Sequence, residues 1–153
     1  MNGIVIIDKP QEWTSQDVTA RLRRVFQTRR IGHGGTLDPM ATGVLPVFVG
    51  RATRGVEFFE HAEKAYEATI LLGRTTDTED VFGTTLTQQE VSVTEEQVLG
   101  ILSRFRGKIL QVPPMYSALK VNGQKLCDLA RKGKEVERKP RPITIHFRRA
   151  YIH

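Results

Sequence analysis

Residues Gly32–Gly43 read GHGGTLDPMATG, which places His33 and Asp38 among four glycines and one proline. Glycine permits positive φ and lets the backbone approach a ligand closely. Pro39 stiffens the chain after Asp38 and disfavours the α-helical conformation at that aspartate. An aspartate held on such a loop can act as a nucleophile or as a base. The stretch therefore predicts a single reactive carboxylate on a shaped loop.

Three other functional interpretations of this stretch have less support from the residues, whereas a purely structural role for Asp38 has more. The phosphate-binding pattern G-x-x-x-x-G-K-S/T is absent. A dinucleotide fingerprint would follow a strand, whereas GHGG follows a predicted helix and its third glycine position holds Leu37. A metal site made by His33 and Asp38 would lack a third ligand nearby. A purely structural role, in which Asp38 caps a turn before Pro39, stays open on the residues alone.

The charge of the chain indicates a polyphosphate partner. Lysine and arginine number 23 against 17 acidic residues, which gives a net charge of +6. Clustered basic residues suit nucleic acid above all, although a solvated basic surface is the plain alternative. The basic residues group as Arg21, Arg23, Arg24, Arg29 and Arg30, then Arg51 and Arg54, then Arg131, Lys132, Lys134, Arg138, Lys139 and Arg141.

The composition favours a cytoplasmic protein of one ordinary domain. Apolar runs are shorter than the roughly 18 residues of a membrane-spanning helix. The N-terminus lacks the basic start and long apolar run of a signal peptide. The single cysteine, Cys127, has neither a disulfide partner nor zinc ligands nearby.

Periodicity and capping signals predict a mixture of helices and strands. Helices are predicted over 15–27, 51–62, 94–105 and 124–131, with capping boxes at Thr14 and Thr94. Strands are predicted over 3–8, 44–49, 66–72 and 108–112, and from Ile143 through Phe147 towards His153. Pro46 favours an edge position for the strand 44–49. The order of elements indicates an α+β fold with a mixed, largely antiparallel sheet flanked by helices.

The glycine-rich stretch and its extension to Pro46, GHGGTLDPMATGVLP, resemble the signature of the TruB family of tRNA pseudouridine synthases. Further segments resemble the family's motifs in the same order, so the resemblance covers essentially the whole chain. They are GIVIIDKP (3–10), KAYEA (64–68), LGRTTDTEDVFG (72–83), FRGKILQVPPMYSALKVNGQKL (105–126) and ARKGKEVERKPRPI (130–143).

The resemblance implies a reaction. Members of the family convert the uridine at position 55, in the T arm of tRNA, to pseudouridine. Asp38 matches the catalytic aspartate, whose attack at C6 of the base or at C1′ of the sugar the residues leave open. No redox change occurs, so no cofactor is expected. The target base must leave the RNA stack before it can be reached.

The resemblance also assigns substrate-binding residues. Tyr66 matches the tyrosine that stacks on the flipped base, and His33 matches a histidine that contacts the RNA loop. Arg54 and Asp80 lie in segments that surround the family's active site, where Asp80 would orient an arginine. Lys9, with the proline after it, is expected to shape the nearby loop.

The segment 115–133 resembles an insertion that clamps the RNA. Its expected phosphate contacts are Lys120, Lys125, Arg131 and Lys132. Cys127 stands where relatives usually carry tyrosine, and we expect it to be a buried apolar residue. The expected partner is tRNA, without metal or membrane, and the expected state is a monomer.

The resemblance implies that residues 1–153 are the N-terminal portion of the catalytic domain. The family's catalytic domain continues further and includes the arginine that partners the catalytic aspartate, so this chain is expected to be inactive alone. A non-catalytic RNA-binding or tRNA-folding module is the alternative function. An aspartate-nucleophile hydrolase is a weaker one, because metal-ligating acids do not follow Asp38 closely.

Overall fold

The computed structural model describes residues 1–59, 61–117 and 119–146. The chain divides into two compact units, Met1–Glu67 and Ala68–His153. Every strand pairing among the described residues is antiparallel. The α+β class with antiparallel pairing is confirmed, although the strands form several small sheets instead of one.

The first unit is built around a three-stranded sheet. Its elements are β1 (Gly3–Lys9), α1 (Ser15–Val25), β2 (Ile31–His33), β3 (Gly43–Val49) and a 3₁₀ helix over Gly50–Phe59. The strand order is β1-β3-β2. β3 runs its whole length along β1, from Gly43 opposite Lys9 to Val49 opposite Gly3. β2 pairs only with the C-terminal part of β3. The β2–β3 connection therefore lies at the end of the sheet where β1 ends.

The core of this unit lies between α1 and one face of the sheet. Val18 of α1 is buried together with Ile31, Leu45, Val47 and Val49. Alternate residues of a strand face the same side, which explains why every second residue of β3 joins the cluster. Burial of such side chains stabilises a fold by about 1.5–3 kcal/mol each. The core therefore fixes α1 against the sheet.

The predicted edge position of the strand 44–49 is wrong, because β3 is central. Pro46 lies opposite Ile6 of β1, and its carbonyl accepts a hydrogen bond from the Gly34 N–H at 2.8 Å. In an antiparallel ladder the missing N–H of Pro46 faces this same side. β2 ends at His33, before the position opposite Pro46. The missing N–H of Pro46 therefore costs only one hydrogen bond, at the end of the β2–β3 pairing.

The helix predicted over 51–62 forms as a 3₁₀ helix over Gly50–Phe59. Phe59 packs edge-on against Phe48 of β3, with ring centroids 5.1 Å apart. This contact lies on the sheet face opposite α1, because Phe48 alternates with Val47 and Val49. The 3₁₀ segment thus covers part of the second face of the sheet.

The strand predicted over 66–72 is also wrong. These residues form neither strand nor helix, and all of them are exposed. A strand needs a neighbour to satisfy its backbone N–H and C=O groups. Among the described residues none pairs with this segment. Its apolar and β-branched side chains alone do not make it a strand.

The second unit consists of hairpins and short helices. They are β4 (Arg74–Thr76), β5 (Thr85–Gln88), α2 (Glu95–Leu102), β6 (Gly107–Gln111), β7 (Lys120–Val121), β8 (Gln124–Lys125), α3 (Leu126–Arg131) and β9 (Arg141–Ile145), with a 3₁₀ turn at Ser103–Phe105 after α2. β4 pairs with β5, β6 with β9, and β7 with β8. The predicted helices 94–105 and 124–131 are confirmed in position, and so is the strand that begins near Ile143. Phe147 and the residues after it lie outside the described part of the chain.

Few side chains of the second unit are buried. Leu126 and Leu129 of α3 and Pro113 are the buried residues in its described part. Cys127, expected to be buried, is only half-buried. Among the described residues, none of the helices has the length and apolar character needed to cross a bilayer.

Candidate active site

Asp38 lies on the loop 34–42 that joins β2 to β3. The preceding residue, Leu37, points inwards and packs against the core. Its N–H donates to Oγ of Ser15 at 3.0 Å, and Ser15 is only 2% exposed. Asp38 itself is exposed. The alternation of a half-buried leucine and an exposed aspartate orients the carboxylate away from the core.

The Asp38 carboxylate is free for an external partner. Within the described residues it accepts no hydrogen bond and forms no ion pair, and only its backbone carbonyl is used, by the N–H of Ala41 at 3.0 Å. A carboxylate that merely capped a turn would accept a nearby backbone N–H. The structure therefore argues against the purely structural interpretation of Asp38.

Lys9 fixes the residue that follows Asp38. Its side chain is completely buried, at 0% exposure, and its ammonium donates to three carbonyl oxygens. These belong to Pro10 at 2.9 Å, Trp13 at 2.5 Å and Pro39 at 3.3 Å. An ammonium has three N–H donors, so this set satisfies it fully. A second bond, from the N–H of Glu12 at 2.7 Å, also reaches the Pro39 carbonyl.

The N-terminus of α1 is held by a capping box. The Thr14 hydroxyl accepts from the Asp17 N–H at 3.0 Å, and Asp17 accepts from the Thr14 N–H at 2.8 Å. Hydrogen bonds to the carboxylate from the Thr14 hydroxyl, and then from its N–H, lower the pKa of Asp17 below its ordinary value. The box fixes the next residue, Ser15, and through it Leu37.

His33 is held between the loop and α1. Its Nδ1 contacts the carbonyl oxygen of Gly35, and its Nε2 lies 3.4 Å from Nε2 of Gln16. A carbonyl can only accept, so the neutral ring carries its proton on Nδ1 and Nε2 accepts from the Gln16 amide. His33 is the last residue of β2, directly before the loop that carries Asp38, and the two side chains are not bonded to each other. In the part of the chain that the structure describes, no three metal-ligating side chains gather in one place.

Two glycines of the stretch are required by the geometry. A Cβ at Gly34 would lie 2.9 Å from the Phe48 ring, so a side chain there would displace the loop or the ring. Gly43 has a φ of +107°, which side chains disfavour, at the point where the loop enters β3. The glycines therefore serve a close approach and a sharp turn.

Arg54 and Tyr66 are placed in the first unit but not joined to Asp38. Arg54 is exposed on the 3₁₀ segment, and Tyr66 is 67% exposed in the irregular stretch that follows. No hydrogen bond within the described ranges connects either side chain to the loop. Their predicted roles stay predictions.

Asp80 organises the loop between β4 and β5. Its Oδ1 accepts from the Thr78 hydroxyl at 2.7 Å, the Phe82 N–H at 2.9 Å and the Gly83 N–H at 3.2 Å. These bonds use one oxygen of the carboxylate. The other oxygen has no partner among the described residues and could accept from an arginine.

Three of the four predicted phosphate contacts meet around one hollow. Lys120, Lys125 and Lys132 line a hollow of about 310 Å³ together with Asp128. Arg131, the fourth, does not line it and instead pairs with Asp128 at 3.5 Å. Both members of that pair are exposed, so the pairing contributes little stability. The hollow is positively charged and open to solvent.

Sequence reasoning missed two residues of the loop's support. The sequence places Ser15 and Gln16 at the start of a helix and predicts no contact of either with the loop. A serine in the first turn of a helix is ordinary, and no local pattern shows that it will bond a residue 22 positions away. Lys9 was expected to shape the loop, but its complete burial was not foreseen.

The fold and the site define an α+β protein with basic surfaces. Lys9 and Ser15 hold its glycine-rich loop, and the loop presents the Asp38 carboxylate, which has no partner among the described residues. A sequence model described as TruB family pseudouridylate synthase (N terminal domain) matches residues 23–150. The chain belongs to the TruB family.

Curated relatives match most of the chain. A protein named tRNA pseudouridine synthase B from Lactococcus lactis subsp. cremoris (strain SK11) is 50% identical over 147 residues, which is 95% of this chain and 44% of the relative. The protein of the same name from Clostridium tetani (strain Massachusetts / E88) is 46% identical, over 95% of this chain and 51% of the relative. The chain thus spans about half the length of these relatives.

Solved structures resemble the chain more distantly. A crystal structure of a Cbf5-Nop10-Gar1 complex matches with a TM-score of 0.53 and 30% identity, over 77% of this chain and 31% of the matched chain. A crystal structure of the archaeal box H/ACA sRNP Nop10-Cbf5 complex matches with a TM-score of 0.51 and 30% identity, over 72% of this chain and 30% of the matched chain. These matches agree with the α+β class.

Proposed function

We propose that residues 1–153 form the N-terminal portion of the catalytic domain of a tRNA pseudouridine synthase, with Asp38 as its nucleophile. The proposed substrate is the uridine at position 55 in the T arm of tRNA. Family membership and the curated relatives support the reaction class. The single observation that carries the assignment of Asp38 is its exposed, unbonded carboxylate on a loop fixed from both sides.

The reaction is an isomerisation that balances without a cofactor. The bond between C1′ and N1 breaks, the uracil turns, and a bond forms between C1′ and C5. C5 loses its proton and N1 gains one, so no electrons are exchanged with another molecule. The Asp38 carboxylate forms a covalent bond to the substrate, at C6 or at C1′. This bond is broken again before the product leaves.

The loop geometry suits such a nucleophile. Lys9 and Ser15 hold the residues on either side of Asp38, so the carboxylate needs little reorganisation to attack. Because no internal donor binds it, none of its nucleophilicity is lost to an intramolecular hydrogen bond. Orientation by the scaffold and freedom of the carboxylate are the two properties the reaction requires.

The proposed role of His33 and Tyr66 is to stabilise the target base after it has left the RNA stack. Extruding the target base costs a few kcal/mol of stacking and pairing. Planar side chains that replace lost stacking return about 1–3 kcal/mol per base. The His33 ring is already oriented by Gly35 and Gln16, and Tyr66 is exposed and able to meet a base. Arg54 and Asp80 are proposed to complete the surroundings of the site.

The hollow bounded by Lys120, Lys125 and Lys132 is the proposed phosphate-binding element. Three ammonium groups around one concavity would release counterions when RNA binds, which makes the affinity salt-dependent. We propose that Arg131 contributes less than these lysines, because its guanidinium already pairs with Asp128.

The test of the proposal is Asp38→Asn in the protein joined to the remainder of its catalytic domain. Tritium at C5 of the target uridine is released when the C1′–C5 bond forms, so its release measures turnover. Asp38→Asn should abolish release and leave tRNA binding within about twofold, because the change removes a nucleophile and no structural bond. Asp8→Asn is the matched control, since Asp8 is also exposed, and it should keep full turnover.

The alternative function, a non-catalytic RNA-binding module, is supported by the charge clusters alone. It predicts that the full catalytic domain without substitutions binds tRNA but releases no tritium. It also predicts that Asp38→Asn and Asp8→Asn behave identically. Either result would overturn the catalytic proposal.

A further inference from the structure

A groove on the outer face of α1 holds the only tryptophan of the sequence. It is shallow and open to solvent, with a volume of about 440 Å³. Its helix residues are spaced three and four apart, so they form one stripe on the side of α1 away from the buried Ser15 and Thr19. The groove is lined by Glu12, Trp13, Asp17, Ala20, Arg21 and Arg24.

Two cations of this groove have no internal partner. Within the described ranges, Arg21 and Arg24 donate no hydrogen bond and form no ion pair, whereas Arg23 between them donates to the Ile31 carbonyl at 3.4 Å. Both side chains are exposed. Their charges are therefore available to a ligand.

The groove is polarised along the helix. Its acids, Glu12 and Asp17, lie at the end near Trp13, and its arginines lie about 6 Å or more further along the axis. Asp17 is already bonded to the hydroxyl and the N–H of Thr14. One end thus offers an aromatic surface with hydrogen-bond acceptors, and the other offers positive charge. A nucleotide has the matching order, with a base that donates hydrogen bonds and a phosphate that is negative.

Trp13 is tied to the loop that carries Asp38. The Trp13 carbonyl accepts from the same Lys9 ammonium that bonds the Pro39 carbonyl. The N–H of Glu12 reaches Pro39 as well. The indole is 40% exposed and is absent from the core cluster. The backbone of Trp13 is therefore anchored next to the residue that follows the proposed nucleophile, and its indole is exposed.

We propose that this groove binds a nucleotide of the substrate RNA that flanks the target uridine, with its base stacked on Trp13 and its phosphate held by Arg21 and Arg24. The inference rests on the proposed function, because it assigns a subsite to the same substrate. It places the incoming strand along α1, so that one anchor, Lys9, sets both the subsite and the catalytic loop.

The single tryptophan makes the proposal directly measurable. A T-arm stem-loop RNA is titrated into residues 1–153 carrying Asp38→Asn, and the fluorescence of Trp13 is followed together with the anisotropy of labelled RNA. Stacking of a base should quench the indole in a saturable way, with the midpoint of the anisotropy curve. Trp13→Leu should weaken binding about tenfold, since stacking is lost.

A charge-matched pair of variants tests the phosphate end. Arg21→Gln with Arg24→Gln should lower the slope of log affinity against log salt by about two. Arg104→Gln with Arg106→Gln removes the same charge from two exposed arginines that lie outside the basic clusters. This control should change the slope by much less.

Two results would overturn the subsite. One is RNA binding by anisotropy without quenching of Trp13, and the other is an equal salt slope for the two double variants. Neither would touch the proposed function, which is judged by Asp38-dependent tritium release in the unmodified protein. Loss of that release, with quenching retained, would instead overturn the catalytic proposal and leave an RNA-binding groove.

Discussion

Leu45 in β3 is 1% exposed, whereas Leu86 in β5 is 64% exposed, and this contrast holds for the two units as a whole. In the unit Met1–Glu67, an apolar cluster joins a helix to a sheet. In the unit from Ala68 onwards, the described hairpins are closed mainly by backbone bonds and by polar side chains such as Asp80. Among the described residues, the first unit buries an apolar cluster, whereas the second buries only Pro113, Leu126 and Leu129.

The contrast shows where positional precision comes from. Three supports of the Asp38 loop, namely Lys9, Ser15 and Leu37, are buried or pack against the buried cluster. Close-packed interiors resist displacement. A nucleophile benefits from such a base, whereas phosphate contacts tolerate a looser one, because their attraction is long-ranged and not directional.

The largest expected effect is the loss of core packing in the first unit. Leu45→Ala should lower the free energy of unfolding by about 3 kcal/mol, through lost burial and the cavity left behind. Leu86→Ala makes the same chemical change at an exposed position and should cost less than about 0.5 kcal/mol. Urea unfolding followed by Trp13 fluorescence reports the first unit, and far-ultraviolet circular dichroism reports both. Equal costs at the two leucines would remove the distinction between the units.

A second test separates stability from positioning. Lys9→Met keeps much of the side-chain volume but leaves the carbonyls of Pro10, Trp13 and Pro39 without their buried donor. We expect a loss of about 1–3 kcal/mol of stability. In the full catalytic domain kcat should fall at least tenfold, because the loop moves, and tRNA affinity should fall as well, because Trp13 loses the same anchor.

The exposed Lys64 provides the control for that substitution. Lys64→Met removes the same charge without disturbing a buried bond, so kcat and stability should both be retained. If Lys9→Met weakened tRNA binding and left kcat unchanged, the Lys9 ammonium would not be positioning the Asp38 loop.

The sequence predicts the helices of this chain better than its strands. α1 and α2 begin where their capping boxes indicate, because a cap is a local interaction within four residues. The central position of β3 was not predictable from Pro46, since it depends on where β2 ends. The failed strand at 66–72 has the same cause, because strand formation needs a partner that local composition does not supply.

The candidate site was predicted in part for the same reason. Asp38 and His33 lie in a stretch whose glycines and proline have local meanings, and the resemblance of that stretch to a family adds their roles. The bonds from Ser15 and Lys9 to the loop span 22 and 30 residues. Contacts at such separations follow from the packing of α1 on the sheet, which no short motif encodes.

The two capping threonines give a smaller and closely matched comparison. Thr94→Ala should cost about 1 kcal/mol, the usual value for a lost helix cap. Thr14→Ala should also reduce turnover in the full catalytic domain, because α1 carries Ser15 and through it the Asp38 loop. Thr94 caps α2, which has no buried residue, so Thr94→Ala should leave turnover unchanged. Equal turnover losses would show that the cap acts only through global stability.

The smallest expected effect distinguishes the two capping boxes by pH. Thr14 is paired with the ionisable Asp17, whereas Thr94 is paired with the neutral Gln97. Hydrogen bonds from Thr14 hold the pKa of Asp17 below its ordinary value of 3.8. A carboxyl whose pKa is lower in the folded state stabilises the fold fully above its unfolded pKa, and this contribution is lost as the pH falls through the folded pKa. Asp17→Asn should therefore be less stable than the unmodified protein at pH 6, and the difference should shrink as the pH is lowered below 3.8.

Gln97→Glu should introduce the same acid sensitivity into α2. A stability difference for Asp17→Asn that stayed constant across that range would show that the shape of the Asp17 side chain, and not its charge, holds α1.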